Sequence, residues 1–197
     1  FWVFLALVNL AVVGTVVSIH ISGKDYSVTQ KENARLIGLS YMTMNNAFYK
    51  IMSEEINARM EAEGDRMVMR DPALNAERQI TQIEEMLSMG IDVLVVTPVD
   101  SEKIVDVLRK AKEQGVRIVV LDTGVADQEV VDCTITSDNY GAGAMVGSYF
   151  LKQHKKARVV VMTHQVAQSG RDRVQGFLDT VEGQPGIEIV KTIECEG

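Results

Sequence analysis

Residues 75–122, NAERQITQIEEMLSMGIDVLVVTPVDSEKIVDVLRKAKEQGVRIVVLD, spell one pattern twice. The segment 75–90 places Ile80, Ile83, Met86 and Leu87 on one side and stops at Gly90, which predicts an amphipathic helix. DVLVVTP (92–98) is a short apolar, β-branched run broken by Pro98, and reads as a buried strand. SEKIVDVLRKAKEQG (101–115) opens on Ser101 with an early acid and closes on Gly115, as a capped helix should. RIVVLD (117–122) is the next strand. Helices of this length between continuous apolar strands predict βαβ units around a parallel sheet covered on both faces.

The alternation extends both ways. Upstream lie a strand at LIGLSYM (36–42), a helix over 46–63 with Phe48, Ile51, Met52, Ile56 and Met60 at helical spacing, and a short strand at RMVMR (66–70). Downstream come a strand at 130–138, a helix over 141–154, a strand at ARVVVMT (157–163), a helix near 170–182 and a strand at IEIVKTIE (187–194). In sheets of this kind ligands bind beyond the carboxyl ends of the strands, so each strand-to-helix loop is a candidate site. MTMNNAFY (42–49) is one such loop, with two amides and two aromatics side by side.

The 197 residues are 46% hydrophobic and 24% charged, an ordinary globular balance able to bury a sizeable core. A net charge of −7 argues against a nucleic-acid partner, which calls for a basic face. Residues 1–21 open with nineteen uncharged positions, long enough to span a bilayer as an anchor. The same stretch also fits the apolar region of a cleaved secretory signal. Either reading sends the rest of the chain out of the cytoplasm, through a polar linker at 22–35. The first residue is Phe and the last strand ends abruptly, so the chain is expected to be a fragment. Cys133 and Cys195 fit either a disulfide in an exported protein or two small apolar residues near strands.

Several chemistries lack their motifs. HExxH, CxxC, GxSxG and GxxxxGK[ST] do not occur, and His20, His154 and His164 lie at no metal-ligand spacing. GAGAMVG (141–147) approaches a dinucleotide loop. Yet four residues separate it from the preceding strand, and the next strand ends without the required acid. Small residues that let the helix pack close to the sheet are the better account. Carboxylate pairs such as Glu54–Glu55 and Glu84–Glu85 lie on solvated helix faces. No catalytic activity, cofactor or metal is expected.

IGLSYMTMNNAFYKIM, QITQIEEMLSMGIDVLVVTPVDS, GVRIVVLDTGV, ITSDNYGAG and SGRDRVQGF occur in the order seen in type I periplasmic sugar-binding proteins. Over about residues 36–197 the chain resembles the ribose- and galactose-binding members of that family. The resemblance implies an α/β fold of two Rossmann-like, parallel-sheet lobes. The first would span 36–136, and the second, incomplete here, 137–197. A ligand would be held as the hinged lobes close, and a fragment lacking part of the second lobe would bind weakly. The same fold serves LacI-type repressors, which carry a helix-turn-helix where this chain has its apolar segment.

Position by position, the resemblance implies ligand contacts at Asn46, Phe48 and Tyr49, with Met42 on a position usually polar in ribose binders. Thr97 falls where an Asn contact often sits, Asp122 on the acceptor for sugar hydroxyls, and Arg171 on the arginine of the second lobe. Thr123 stands where the ribose pattern has an Arg, and Ala47 where it has Pro. These departures point away from ribose and toward a related small sugar or polyol. The residue types suit such a ligand: rings meet its C–H faces, and carboxylate, amide and guanidinium groups meet its hydroxyls. Plainer roles stand beside these. Phe48 and Tyr49 would also serve as core contacts, Asn46 as a helix cap, Asp122 as a turn cap, and Arg171 as a partner of Asp172 or Asp138. The implied function is delivery of a small carbohydrate to an ABC transporter permease. The alternative is a membrane-anchored sugar sensor signalling to a sensor kinase or chemoreceptor.

Overall fold

The computed structural model describes residues 34–195. The proposed anchor or signal at 1–21 and all but the end of the linker at 22–35 lie outside them. The described residues fall within one compact unit. Strand β1 (Leu36–Ser40) leads into α1 (Ala47–Glu63), followed by β2 (Arg66–Arg70), α2 (Ala76–Ser88), β3 (Val93–Val96), α3 (Val105–Glu113) and β4 (Arg117–Asp122). A 3₁₀ turn (Gln128–Val130) precedes β5 (Cys133–Thr136). Then come α4 (Asn139–Gln153), β6 (Ala157–Thr163), α5 (Gln168–Val181) and β7 (Ile187–Glu194). No helix among the described residues is long and apolar enough to cross a membrane.

The first five strands form one parallel sheet in the order β2-β1-β3-β4-β5. Alternate side chains point to opposite faces of a strand, so this sheet feeds two cores. On one face Leu94, Val96, Ile118 and Val120 pack under Ile83 and Met86 of α2 and Leu108 and Ala111 of α3. On the other, Ile37, Leu39 and Val95 pack with Tyr49 and Met60 of α1. The helices end where the chain turns left-handed, at Gly64, Gly90 and Gly115, whose positive φ costs glycine nothing.

Two helices depart from the sequence expectation. Helix α1 turns Tyr49, Ser53 and Met60 inward, not Phe48 and Ile51, which are 50% and 61% exposed. Tyr49 stacks on the buried Tyr41 with ring centres 5.5 Å apart, and that contact sets the rotation of the helix. Helix α3 starts at Val105 with no side-chain cap of its own, and Asp100 caps the turn that precedes it. The Asp100 carboxylate accepts from the amides of Glu102 and Lys103 at 2.9 and 3.1 Å, leaving Ser101 buried and free for another role.

Strands β6 and β7 pair in parallel as a separate two-stranded sheet. Burial on both faces, expected from their apolar runs, does not hold here or at β5. Val161 and Thr163 are buried, while the alternate residues Val160 and Met162 are exposed, because the described helices cover one face only. The small-residue face of α4 packs against α5 and not against a sheet. A Cβ on Gly143 would lie 2.0 Å from the Arg173 carbonyl oxygen, and one on Gly176 of α5 would lie 2.1 Å from that of Tyr140. Gly147 is pressed on Thr180 in the same seam. With α5 backbone covering them, these glycines present no surface to a phosphate. The two cysteines are free, so the disulfide alternative fails.

Backbone cannot retreat as a flexible side chain can. Gly143→Ala and Gly176→Ala are therefore expected to destabilise the protein by at least about 1–3 kcal/mol, as overpacking does. A urea midpoint unchanged in both variants would contradict the helix seam.

Candidate functional site

The loops leaving β1, β3 and β4 share the carboxyl edge of the first sheet. Asn46 ends the first, and its side-chain oxygen accepts from the Phe48 amide at 2.9 Å, so it caps α1. Beyond the cap Phe48 faces outward and Tyr49 is buried. Tyr49 meets Phe48 edge-on at 5.3 Å, and its hydroxyl donates to Asp122 Oδ2 at 3.0 Å. Asp122, the last residue of β4, has φ of 68°, a left-handed conformation unusual for a residue with a Cβ. Phe48 and Asp122 line a cavity of about 460 Å³ with Leu121, Ile135, Thr136 and Ser137. An exposed ring beside a half-buried carboxylate can stack on C–H groups and accept from hydroxyls of one ligand.

A second cluster lies at the start of α5. Ala167 precedes the helix and is buried in the core cluster of Tyr41 and Met42. Thr123 Oγ1 accepts from the Ser169 amide at 2.9 Å. Arg171 donates through Nη2 to Ser101 Oγ at 2.9 Å and Gln168 Oε1 at 2.6 Å, and through Nη1 to the Gln165 carbonyl. Its expected acidic partners are engaged elsewhere. Asp172 accepts from Gln168 at 2.6 Å, and Asp138 caps α4 through the Gly141 amide at 2.8 Å.

Of the residues singled out in the sequence, Phe48, Tyr49 and Asp122 thus form one group, and Thr123 and Arg171 another. Asn46 is exposed beside the first. Met42 and Thr97 lie beneath the edge. Met42 is buried in the core cluster, with its carbonyl accepting from Leu74 at 2.8 Å. Thr97 is fully buried, and its hydroxyl has no partner among the described residues. Sequence reasoning missed Gln79, which is 1% exposed and holds this edge together. Its amide nitrogen donates to Ser40 Oγ at 3.1 Å and the Thr97 carbonyl at 3.0 Å, and its oxygen accepts from the Val99 amide at 2.8 Å. The available signal was an amide four residues before Ile83, on the apolar stripe of α2. No group of three or more His, Cys, Asp or Glu among the described residues could hold a metal ion.

The sequence profile of the periplasmic binding protein domain family matches residues 37–197. The ribose import binding protein RbsB of Bacillus subtilis (strain 168) is 29% identical over 143 residues, covering 72% of this chain and 47% of that protein. The galactofuranose-binding protein YtfQ of Escherichia coli (strain K12) is 24% identical over 161 residues, covering 79% of this chain and 51% of that one. The chain therefore spans about half the length of these relatives. The crystal structure of a Caulobacter myo-inositol binding protein bound to myo-inositol superposes with a TM-score of 0.75 at 23% identity, over 85% of this chain and 58% of that one.

Burial, then the negative charge of Asp122 and the bond to it, push the Tyr49 phenol above its ordinary range, and burial pushes Tyr41 up to about 12. Both favour the neutral phenol in the folded state. Their contribution is fully present below the unfolded value near pH ~10 and is lost as pH rises through the folded values. The urea midpoint is expected to fall above about pH 10, and less steeply in Tyr49→Phe. At neutral pH that variant should lose roughly 1–2 kcal/mol, the lower part of the range for a bond to a charged acceptor, because Asp122 is only half-buried. Identical alkaline profiles for the two proteins would refute the assignment.

Proposed function

The chain belongs to the periplasmic binding protein domain family, and from that premise we propose that it is an extracytoplasmic solute-binding protein. Its ligand is a small carbohydrate, taken up through an ABC transporter permease and bound without chemical change. The observation that carries this reading is the half-exposed Phe48 ring beside the Asp122 carboxylate, at the edge where open parallel sheets take ligands. Phe48 would stack on the C–H face of the sugar while Asp122 accepts its hydroxyls, with Asn46 and Arg171 as further polar contacts. Tyr49, Thr123, Met42 and Thr97 support these from the buried side. The relatives described above are an importer component and sugar binders by name, which favours uptake over the sensor alternative.

In this reading residues 36–136 form the first lobe and 137–197 part of the second, with the cleft between them. Residues 1–21 export or tether the protein, and 22–35 are the spacer. Ligand affinity arises from lobe closure, a hinge transition.

Titration calorimetry of the full-length protein with D-ribose, D-fucose, D-fructose and myo-inositol tests the proposal. At least one is expected to bind. Asp122→Ala should weaken that binding about tenfold or more, and Asn46→Ala by a smaller factor, since a buried bond to a charged group is worth more than a neutral one. Silence across the panel, or an Asp122→Ala variant with undiminished affinity, rules the reading out.

A further inference from the structure

Ser101 is the meeting point of three segments. It is 0% exposed, in a loop that also buries Thr97, Val99 and Ile104. Its amide donates to the Val166 carbonyl at 3.1 Å, its carbonyl accepts from the Ala126 amide at 2.8 Å, and its hydroxyl accepts from Arg171 Nη2 at 2.9 Å. The loop after β3, the loop after β4 and the entry to α5 are thereby joined at one residue. Asp100 supplies the cap for the turn before α3, so Ser101 is not needed for that purpose.

Helix α5 also begins in an unusual way. Its N-cap, Ala167, has no side-chain oxygen to offer the free amides of the first turn. The missing acceptor comes from Thr123, the residue after Asp122, through the 2.9 Å bond to the Ser169 amide. The helix end that carries Arg171 is therefore held by atoms of the β3 and β4 loops. Moreover, each hydrogen bond of Arg171 goes to a neutral oxygen of Ser101, Gln168 or Gln165. A guanidinium held this way keeps its charge unneutralised and still has unused N–H donors.

We propose that Ser101 is a positioning residue of the binding site. It fixes the Arg171 guanidinium at a set place relative to Asp122, while Thr123 fixes the helix end behind it. This rests on the carbohydrate reading above and adds to it the contacts by which closure of the lobes sets the arginine. A ligand held in the closed cleft then meets a donor and an acceptor spaced for it, and loses less affinity to ordering of the arginine side chain.

A double-mutant cycle on the full-length protein, titrated with the same four compounds, provides the test. Ser101→Ala is expected to weaken binding of the active compound roughly 5- to 20-fold, mainly through faster dissociation, as for a lost charge-assisted bond. In an Arg171→Met background the same change should alter affinity less than about 2-fold, since Ser101 then has nothing to position. Gln168→Met, on the half-buried surface of α5, should show the same dependence on Arg171 and stands in should Ser101→Ala not fold. Losses at Ser101 and Gln168 that persist undiminished without Arg171 would overturn the inference and leave the carbohydrate reading intact. If none of the four compounds binds the unaltered protein, the carbohydrate reading falls and this inference falls with it.

Discussion

The side-chain amide of Gln79 ties together the ends of β1 and β3, from which Met42, Asn46 and Thr97 follow at the edge of the first sheet. Three loops leave the carboxyl ends of β1, β3 and β4, and Gln79 fixes the paths of the first two. One buried amide spans the end of β1 through Ser40 and the end of β3 through Thr97, and then fixes the following turn through Val99. A buried amide left without partners costs about 1–3 kcal/mol per group, so this network is stable only when all three segments are in place. That requirement makes the edge cooperative. Tyr41, Met42 and Val99 pack against one another just beyond it, and Ala167 from the start of α5 closes the same cluster.

The two sheets differ in how they are held. In the first, helices on both faces bury β1 and β3 almost completely, and hydrophobic burial is the main stabilising term. In the second, the tightest contact is between α4 and α5, where the absence of Cβ atoms at Gly143, Gly147 and Gly176 lets backbone meet backbone. Close approach of this kind gains dispersion energy over a narrow seam, and it fixes the axial register of α5. Register matters because Arg171 lies one turn into that helix. The glycine seam sets its far side, and Thr123 and Ser101 set its near end.

Much of the fold was readable because strand and helix periods are strong signals. Strands β6 and β7 fall on the segments ARVVVMT and IEIVKTIE marked in the sequence, and glycine stops at 64, 90 and 115 take positive φ. What escaped was direction within an element. Phe48 and Tyr49 are adjacent aromatics, and the contacts of Tyr49 with Tyr41 and, 73 residues away, with Asp122 decide which one turns inward. Ser101 looked like a helix cap because cap chemistry and buried hydrogen bonding use the same residue type. Its neighbour Asp100 takes the first amides of the turn instead, and the arginine that claims the hydroxyl is 70 residues away. Gln79 was legible only as an exception, a polar residue on an apolar stripe. The pairing of the small residues with a helix rather than a sheet could not be read locally, since the partner glycine lies on α5.

The charge balance of the edge narrows what could occupy it. Asp122 contributes one negative charge and Arg171 one positive, and the peptide link from Asp122 to Thr123, then the bond to Ser169, keeps them in one neighbourhood. A carboxylate or phosphate ligand would gain from Arg171 but would face Asp122 and the overall charge of −7. A cationic ligand would meet the reverse conflict at Arg171. An uncharged ligand with several hydroxyls avoids both, because a hydroxyl can donate to the carboxylate and accept from the guanidinium at once. The exposed face of Phe48 adds a demand for an apolar surface on the same molecule, and a ring bearing hydroxyls at its rim and C–H groups on its face meets all three conditions.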